Sequence, residues 1–259
     1  MERKLNNGWN MSKIAVNNVS KIFESKGTIF KSVDDLNFQV KEGEFLCILG
    51  PSGCGKSTIL RLIAGLDKPS SGQILMDNET IIGPDCKCGM VFQEYSLFPW
   101  RSVIENVAFP LEMKGVAEEE RYKIAEDYLK IVGLQNFRDS MPHELSGGMK
   151  QRVAIVRSLA GDPDVLLMDE PFGALDIQTR SQLQKDLLKI WEDKGKTIIF
   201  VTHDIDEAIF LGDRVILMSK SPGRIAKIFE VNIKRIRDSL SPDFLRLKQE
   251  IMNLLESGD

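Results

Sequence analysis

The 259 residues, 42% of them apolar, suffice for one large folded unit or one domain with a small appendage. Thirty-four Lys and Arg against 38 Asp and Glu leave a net charge of −4, which gives no electrostatic basis for nucleic acid or an anionic bilayer as the main partner. The four cysteines (Cys47, Cys54, Cys86 and Cys88) follow no secreted disulfide framework and no apolar run reaches bilayer-spanning length; a reducing cytoplasm is expected, with any membrane association made through a partner.

Residues 1–11 are polar and are expected to be a disordered lead, with Met11 an alternative translation start. From Ile14 to Gln73, short β-rich runs are broken by turn signals: Ile14-Ala15-Val16, then Leu36 to Val40 in alternation, then Phe45 to Leu49, which reads as a buried strand. Thr58 to Ala64 has helical spacing and ends at Gly65. The middle turns helical: Ala117 to Val132 stops at Gly133, and a second helix runs from about Gly147 to Ala160. Strands return at Met90 to Phe92, Val165 to Met168, Thr197 to Val201 and Arg214 to Met218, the last three around a helix carrying Leu183, Leu187, Ile190 and Trp191. After Ser221-Pro222-Gly223 a tail ends in a helix with Phe244, Leu247, Ile251, Leu254 and Leu255 on one side. Strands alternating with helices predict an α/β fold with a mainly parallel sheet, interrupted by helices.

Gly50-Pro51-Ser52-Gly53-Cys54-Gly55-Lys56-Ser57, with Thr58 following, fits the phosphate-binding pattern G-x-x-x-x-G-K-[ST] and stands between a buried strand and a helix, as that loop requires. Its glycines let backbone N–H groups turn inward on phosphate oxygens, the helix N-terminus adds positive potential, Lys56 reaches the β and γ phosphates, and Ser57 can ligate Mg²⁺. Val165 to Met168 ends in Asp169-Glu170: Asp169 is expected to reach the metal, leaving Glu170 to polarise an attacking water. Ser146-Gly147-Gly148 opens a helix as a second phosphate cradle. Two cradles for one nucleotide make sense if each site is shared between two chains.

With these motifs in this order, the chain resembles the ABC ATPases over residues 12 to about 225. The resemblance implies an α/β P-loop NTPase of ABC type with a parallel core, an N-terminal antiparallel β subdomain, a helical insertion at about 95–160 and a C-terminal helical extension over 226–259. It implies ATP and Mg²⁺ as ligands, Gln93 as the glutamine that senses the metal and the attacking water, and His203 as the switch histidine on the γ phosphate. Ser146, Gly147 and Gly148 would meet the nucleotide of a second copy. Asp176, in Ala174-Leu175-Asp176, would reach across the dimer, although a helix-capping aspartate explains it equally well. Phe23 falls where an aromatic ring stacks on adenine, with Phe30 its neighbouring rival.

Phe92 to Trp100 and Ser221 to Ile225 further resemble the ATPase subunits of nitrate, sulfonate and taurine importers. Partners implied are a second copy, integral membrane permease subunits and, indirectly, a solute-binding protein, with no nucleic acid; the location implied is the cytoplasmic face of the membrane. Phe98 and Trp100 would line the groove for a permease helix, or else be ordinary core. A P-loop kinase or GTPase would leave Ser146-Gly147-Gly148 and His203 without a role. A non-transport ABC ATPase is the stronger alternative.

Overall fold

The computed structural model describes residues 12–25, 27–173 and 175–257; the expected disordered lead lies outside the described residues, as does Ala174. Strands β1 (Ser12–Ser25) and β2 (Thr28–Lys41) form a long antiparallel hairpin. In β2, Leu36, Phe38 and Val40 are buried while Asp35, Asn37 and Gln39 face out, the period-two pattern of a strand with one wet face. Strand β3 (Phe45–Leu49) leads through a loop into helix α1 (Lys56–Ile63), followed by β4 (Ser71–Met76), β5 (Glu79–Thr80) and β6 (Cys88–Val91).

The helical middle holds α2 (Val103–Met113), α3 (Glu118–Ile131) and α4 (Gly147–Ala160). Then come β7 (Val165–Asp169), α5 (Ile177–Lys194), β8 (Thr197–Thr202), α6 (Ile205–Leu211), β9 (Arg214–Met218), β10 (Ile225–Glu230) and α7 (Pro242–Ser257).

Two sheets result. The antiparallel one has the order β2-β1-β4-β5; the six-stranded one has the order β10-β9-β3-β8-β7-β6 and is parallel except for its edge strand β10. Central β3 is wholly buried: Phe45, Cys47 and Leu49 face a core shared with α5, α6 and α7, while Leu46 and Ile48 face a second core shared with α1 and the antiparallel sheet. Burial on both faces is why this strand reads as an unbroken apolar run. The helical middle keeps a core of its own, built on Val103, Val107, Leu129, Val153 and Val156.

Two elements differ from the sequence-based expectation. Helix α2 precedes the first helix expected in the middle; Ser102 and Glu105 close a reciprocal capping box at its start, and Pro110 within it obscures its periodicity. The tail expected to be helical from residue 226 opens with β10, which extends the main sheet beyond β9. Its closing helix, α7, buries Phe244 and Ile251 completely in the core under α6, and Lys248 Nζ donates to Asp206 Oδ2 at 2.8 Å. Among the described residues no helix is long and apolar enough to cross a membrane.

Candidate functional site

The parallel sheet delivers its chemistry to the C-terminal ends of its strands, where the loop after β3 stands beside the ends of β8 and β7. That loop passes so close to β2 that a side chain at Gly55 would put Cβ 2.4 Å from Val33 Cγ1 and 2.9 Å from the Ser32 carbonyl, and the residue's φ of +95° favours glycine as well. Lys56, the first residue of α1, is 4% exposed; its Nζ donates to the carbonyls of Gly50 at 2.9 Å and Pro51 at 3.1 Å and lies 3.4 Å from Glu170 Oε1. Ser57 Oγ donates to Asp169 Oδ1 at 3.0 Å, and the hydroxyls of Thr58 and Ser32 are 2.9 Å apart. Burial pushes the Asp169 carboxyl above the usual carboxylate range, against the opposing pull of the Ser57 hydrogen bond. Cys54 is buried within the loop, and burial raises its thiol too.

Glu170 sits at φ +44°, a left-handed conformation uncommon for a residue with a side chain, and its N–H donates to the Val201 carbonyl at 3.0 Å. The chain turns sharply there, and the carboxylate ends between two cationic or donor groups, Lys56 on one oxygen and His203 Nδ1 at 2.8 Å on the other.

These groups border a cleft of about 520 Å³ lined by Phe23, Phe30, Ser52, Gly53, Lys56, Ser57, Thr58, Gln93 and Glu170. Gln93 reaches it from the end of β6, which stops at Val91, one residue before the expected end at Phe92. Phe23 and Phe30 are direct cross-strand partners and both part-exposed, so neither ring is core and each can stack on a flat apolar group. Gly50, Pro51 and His203 also line a second cavity, of about 260 Å³, whose far wall is Leu254 and Leu255 of α7.

Ser146, Gly147, Gly148 and Asp176 do not line the cleft; they form a separate cluster. Ser146 caps α4, its Oγ accepting from Met149 N at 3.3 Å. A Cβ on Gly147 would lie 2.9 Å from the Tyr95 hydroxyl and one on Gly148 2.8 Å from Thr179 Cγ2, so Gly148 lets this loop sit against the start of α5 and Gly147 lets it lie beside Tyr95. Asp176 caps α5, accepting from Gln178 N at 3.1 Å and Thr179 N at 3.0 Å, and the bonds from Thr179 and Gln178 hold its carboxyl below the usual range. The capping role expected as one alternative for Asp176 is therefore in place, with the residue exposed beside the second cradle.

The arrangement suits a nucleoside triphosphate with a divalent cation. Around Lys56 the glycine loop and the α1 N-terminus offer donors to phosphate oxygens, and Ser57 with Asp169 offers the hard oxygens Mg²⁺ prefers. Sequence reasoning missed Ser32 and Arg180, which no motif marks and which only the fold brings to these loops, and it placed Tyr95 in the segment after Gln93 without its contact to Gly147.

A third feature lies beyond Gln93. Phe98 packs against Phe109 at 4.6 Å and Trp100 at 5.6 Å between ring centroids, the Arg157 guanidinium lies 5.5 Å from the Phe98 centroid, and Trp100 is 71% exposed. An apolar groove of about 470 Å³ runs alongside, walled by Met90, Phe92, Phe98, Phe109, Pro110 and Met113. Trp100 is thus not core, and Phe98 is half-buried in the groove wall.

Residues 33–173 match the family model described as ABC transporter. The aliphatic sulfonates import ATP-binding protein of Bacillus thuringiensis is 47% identical over 245 residues, 95% of this chain and 96% of that protein. The nitrate import ATP-binding protein of Synechocystis is 45% identical over 255 residues, again 95% of this chain and 96% of that one. A solved dimeric structure of an ATP-binding cassette in a post-hydrolysis state, bound to ADP and Pi, superimposes with a TM-score of 0.77 at 38% identity, covering 85% of this chain and 99% of its own. The glycine loop, the carboxylates after β7 and the separate serine-glycine cradle are thus the local expression of a likeness that runs nearly end to end, and the chain belongs to the ABC transporter family as an ATP-binding ATPase cassette.

Proposed function

We propose that this ATPase is the motor subunit of an importer for a small solute, an anion of the nitrate, sulfonate or taurine kind, working as a pair of copies that close on two ATP molecules. The observation that carries the reading is the separation of the two phosphate cradles. Ser146-Gly147-Gly148 is built and capped, yet it stands apart from the cleft that holds Lys56, so it serves a nucleotide held by another chain. The dimeric cassette that superimposes on this chain supports the same arrangement.

In this reading the adenine stacks at Phe23 and Phe30, the loop from Gly50 to Thr58 holds the phosphates, and Lys56 exchanges its loop carbonyls for β and γ phosphate oxygens. Ser57, Asp169 and Gln93 would hold Mg²⁺, which neutralises charge on those phosphates when bound. Glu170 accepts a proton from the water that attacks the γ phosphorus; the bond from phosphorus to the bridging oxygen breaks, releasing ADP. His203, as the imidazolium, donates one N–H to a γ phosphate oxygen and the other to Glu170, which it holds in line. The partner's serine-glycine cradle closes over the same phosphate from the opposite side, and Asp176 lies at the seam. ATP drives closure because it gains contacts only in the closed pair, and a ligand shifts an equilibrium only by its differential affinity.

In this reading the apolar groove beside Phe98 and Trp100 receives a helix of an integral membrane permease, and the motor works at the cytoplasmic face of the membrane; the exposed apolar lining of the groove supports it. Near-equal identity to a sulfonate and a nitrate import protein supports leaving the choice of solute to the permease and a solute-binding protein. The alternative of a non-transport ATPase is disfavoured by that groove and those relatives.

Glu170→Gln beside wild type is the test. Wild type turns over and remains mostly monomeric in Mg²⁺-ATP, while the variant loses about 10² to 10⁴ in rate and accumulates as an ATP-bound dimer. A variant that hydrolyses normally and stays monomeric at saturating ATP would overturn both the base assignment and the shared site.

A further inference from the structure

His203 occupies a single-residue gap between two anchored neighbours. On one side the Thr202 hydroxyl donates to Glu207 Oε2 at 2.7 Å and accepts from Asp204 N at 3.0 Å; on the other, Asp204 Oδ1 caps α6, accepting from Asp206 N at 2.8 Å and Glu207 N at 3.2 Å. The backbone that carries the histidine is therefore held by two carboxylates, Asp204 and Glu207. Glu207 is 5% exposed, and burial pushes its carboxyl upward, so its charge depends on a neighbouring cation.

That cation comes from a different element. Arg180 lies in the first turns of α5, its N–H bonded to the Asp176 carbonyl at 2.9 Å. Its Nη1 is 3.5 Å from Asp204 Oδ2 and its Nε 3.7 Å from Glu207 Oε1, while Nη2 donates to the Leu175 carbonyl at 3.2 Å. One planar guanidinium thus hydrogen-bonds the backbone of the segment leading into Asp176 and stands within ion-pair range of both carboxylates that fix the histidine segment. Arg180 lines neither the cleft nor the serine-glycine cradle. Lysine cannot reproduce the arrangement, since an ammonium is a point charge and lacks the planar fork that bonds the Leu175 carbonyl while facing both carboxylates.

We propose that Arg180 is a positioning residue that ties the partner-facing loop at Leu175-Asp176 to the histidine segment, so that docking of a second copy is felt at His203. Movement of the loop at the seam pulls on the Leu175 carbonyl, and the guanidinium passes the shift to Asp204 and Glu207, which carry His203 toward or away from the γ phosphate. The proposal rests on the shared-site reading and adds to it a route by which each site reports on the other.

The test compares wild type, Arg180→Ala and Arg180→Lys in three readouts: affinity for a fluorescent ATP analogue, kcat, and the Hill coefficient of turnover against ATP. Alanine should lower kcat by about tenfold or more, since small misplacements near a reacting group are costly. It should also move the Hill coefficient toward one and leave analogue affinity within about twofold, because no binding contact is removed. Lysine should recover part of kcat and little of the cooperativity. A merely structural role would lower the active fraction without altering the Hill coefficient, and that outcome overturns the proposal, as does an alanine variant indistinguishable from wild type. If alanine fails to fold, Arg180→Gln and Arg180→Lys carry the comparison. Wild type that hydrolyses without cooperativity would instead count against the shared site, which keeps the two failures apart.

Discussion

His203 Nδ1 lies 2.8 Å from Glu170 Oε2, so the histidine after β8 and the carboxylate after β7 meet across the sheet edge before any substrate is considered. Their meeting depends on strand order, since β7 and β8 are adjacent and parallel and both end beside the loop after β3. One ring nitrogen is committed to Glu170, which leaves the other to face a phosphate. His203→Ala should lower turnover by about 10² to 10³, the usual cost of removing one aligned donor from a transition state, with nucleotide affinity little changed. Single-turnover hydrolysis beside equilibrium binding checks this, and an unchanged single-turnover rate would remove His203 from the chemistry.

Asp169 gives a prediction with opposite signs for stability and activity. Burial raises its pKa, so folding favours the neutral acid: the group's contribution is most favourable below the ordinary carboxylate range and becomes a cost as pH rises through the folded value. Asp169→Asn keeps an acceptor for Ser57 and removes the charge. Its melting temperature should exceed that of wild type at pH 7, with the gap closing as pH falls toward 4, while Mg²⁺-dependent turnover falls by about 10² or more. Thermal melts across that range, without nucleotide, would show it.

Gly223 makes a backbone approach that a side chain would block. A Cβ there would lie 1.9 Å from the Cys54 carbonyl, inside the phosphate loop, and the residue also exchanges backbone bonds with β2 through Ser32 and Asp34. Gly223→Ala should cost roughly 1–3 kcal/mol of stability by overpacking and weaken nucleotide binding by displacing the loop from behind. Chemical denaturation and a nucleotide titration measure the two, and unchanged affinity would mean that the loop tolerates the shift.

Trp100 tests the groove. At 71% exposure its replacement should change stability of the isolated chain by no more than about 0.5 kcal/mol and leave basal hydrolysis alone. If the ring anchors a permease helix, Trp100→Glu should weaken the complex by at least about 2 kcal/mol, seen as loss of co-purification with the membrane subunits in detergent. Retention of the complex would place the docking surface elsewhere.

Legibility in the sequence followed burial. β3, β7, β8 and β9 have four to six buried residues each, so their apolar runs announced themselves with nearly the observed limits. The edge strand β10 buries mainly Phe229 and exposes Ala226, Lys227 and Ile228, and it carried no such signal. The site was legible where a motif is local, as in the run from Gly50 to Ser57 or the pair Asp169-Glu170. It was illegible where neighbours come from distant chain: Ser32 beside Thr58, Tyr95 against Gly147, Arg180 beside Asp204. The left-handed backbone at Glu170 belongs to the same class, since the bond to Val201 that accompanies it comes from another strand.

The position of β3 bears on how the chain is made. This strand, residues 45–49, lies between β8, residues 197–202, and β9, residues 214–218, so its two hydrogen-bonding edges are satisfied by segments synthesised more than 140 residues later. On the ribosome the nucleotide loop emerges ahead of both strands that flank β3 and has no parallel sheet to spring from until β8 and β9 have followed. The nascent chain therefore carries an unpaired apolar strand while the intervening residues are made, which exposes this segment to chaperones and ties assembly of the ATP site to the synthesis of β8 and β9.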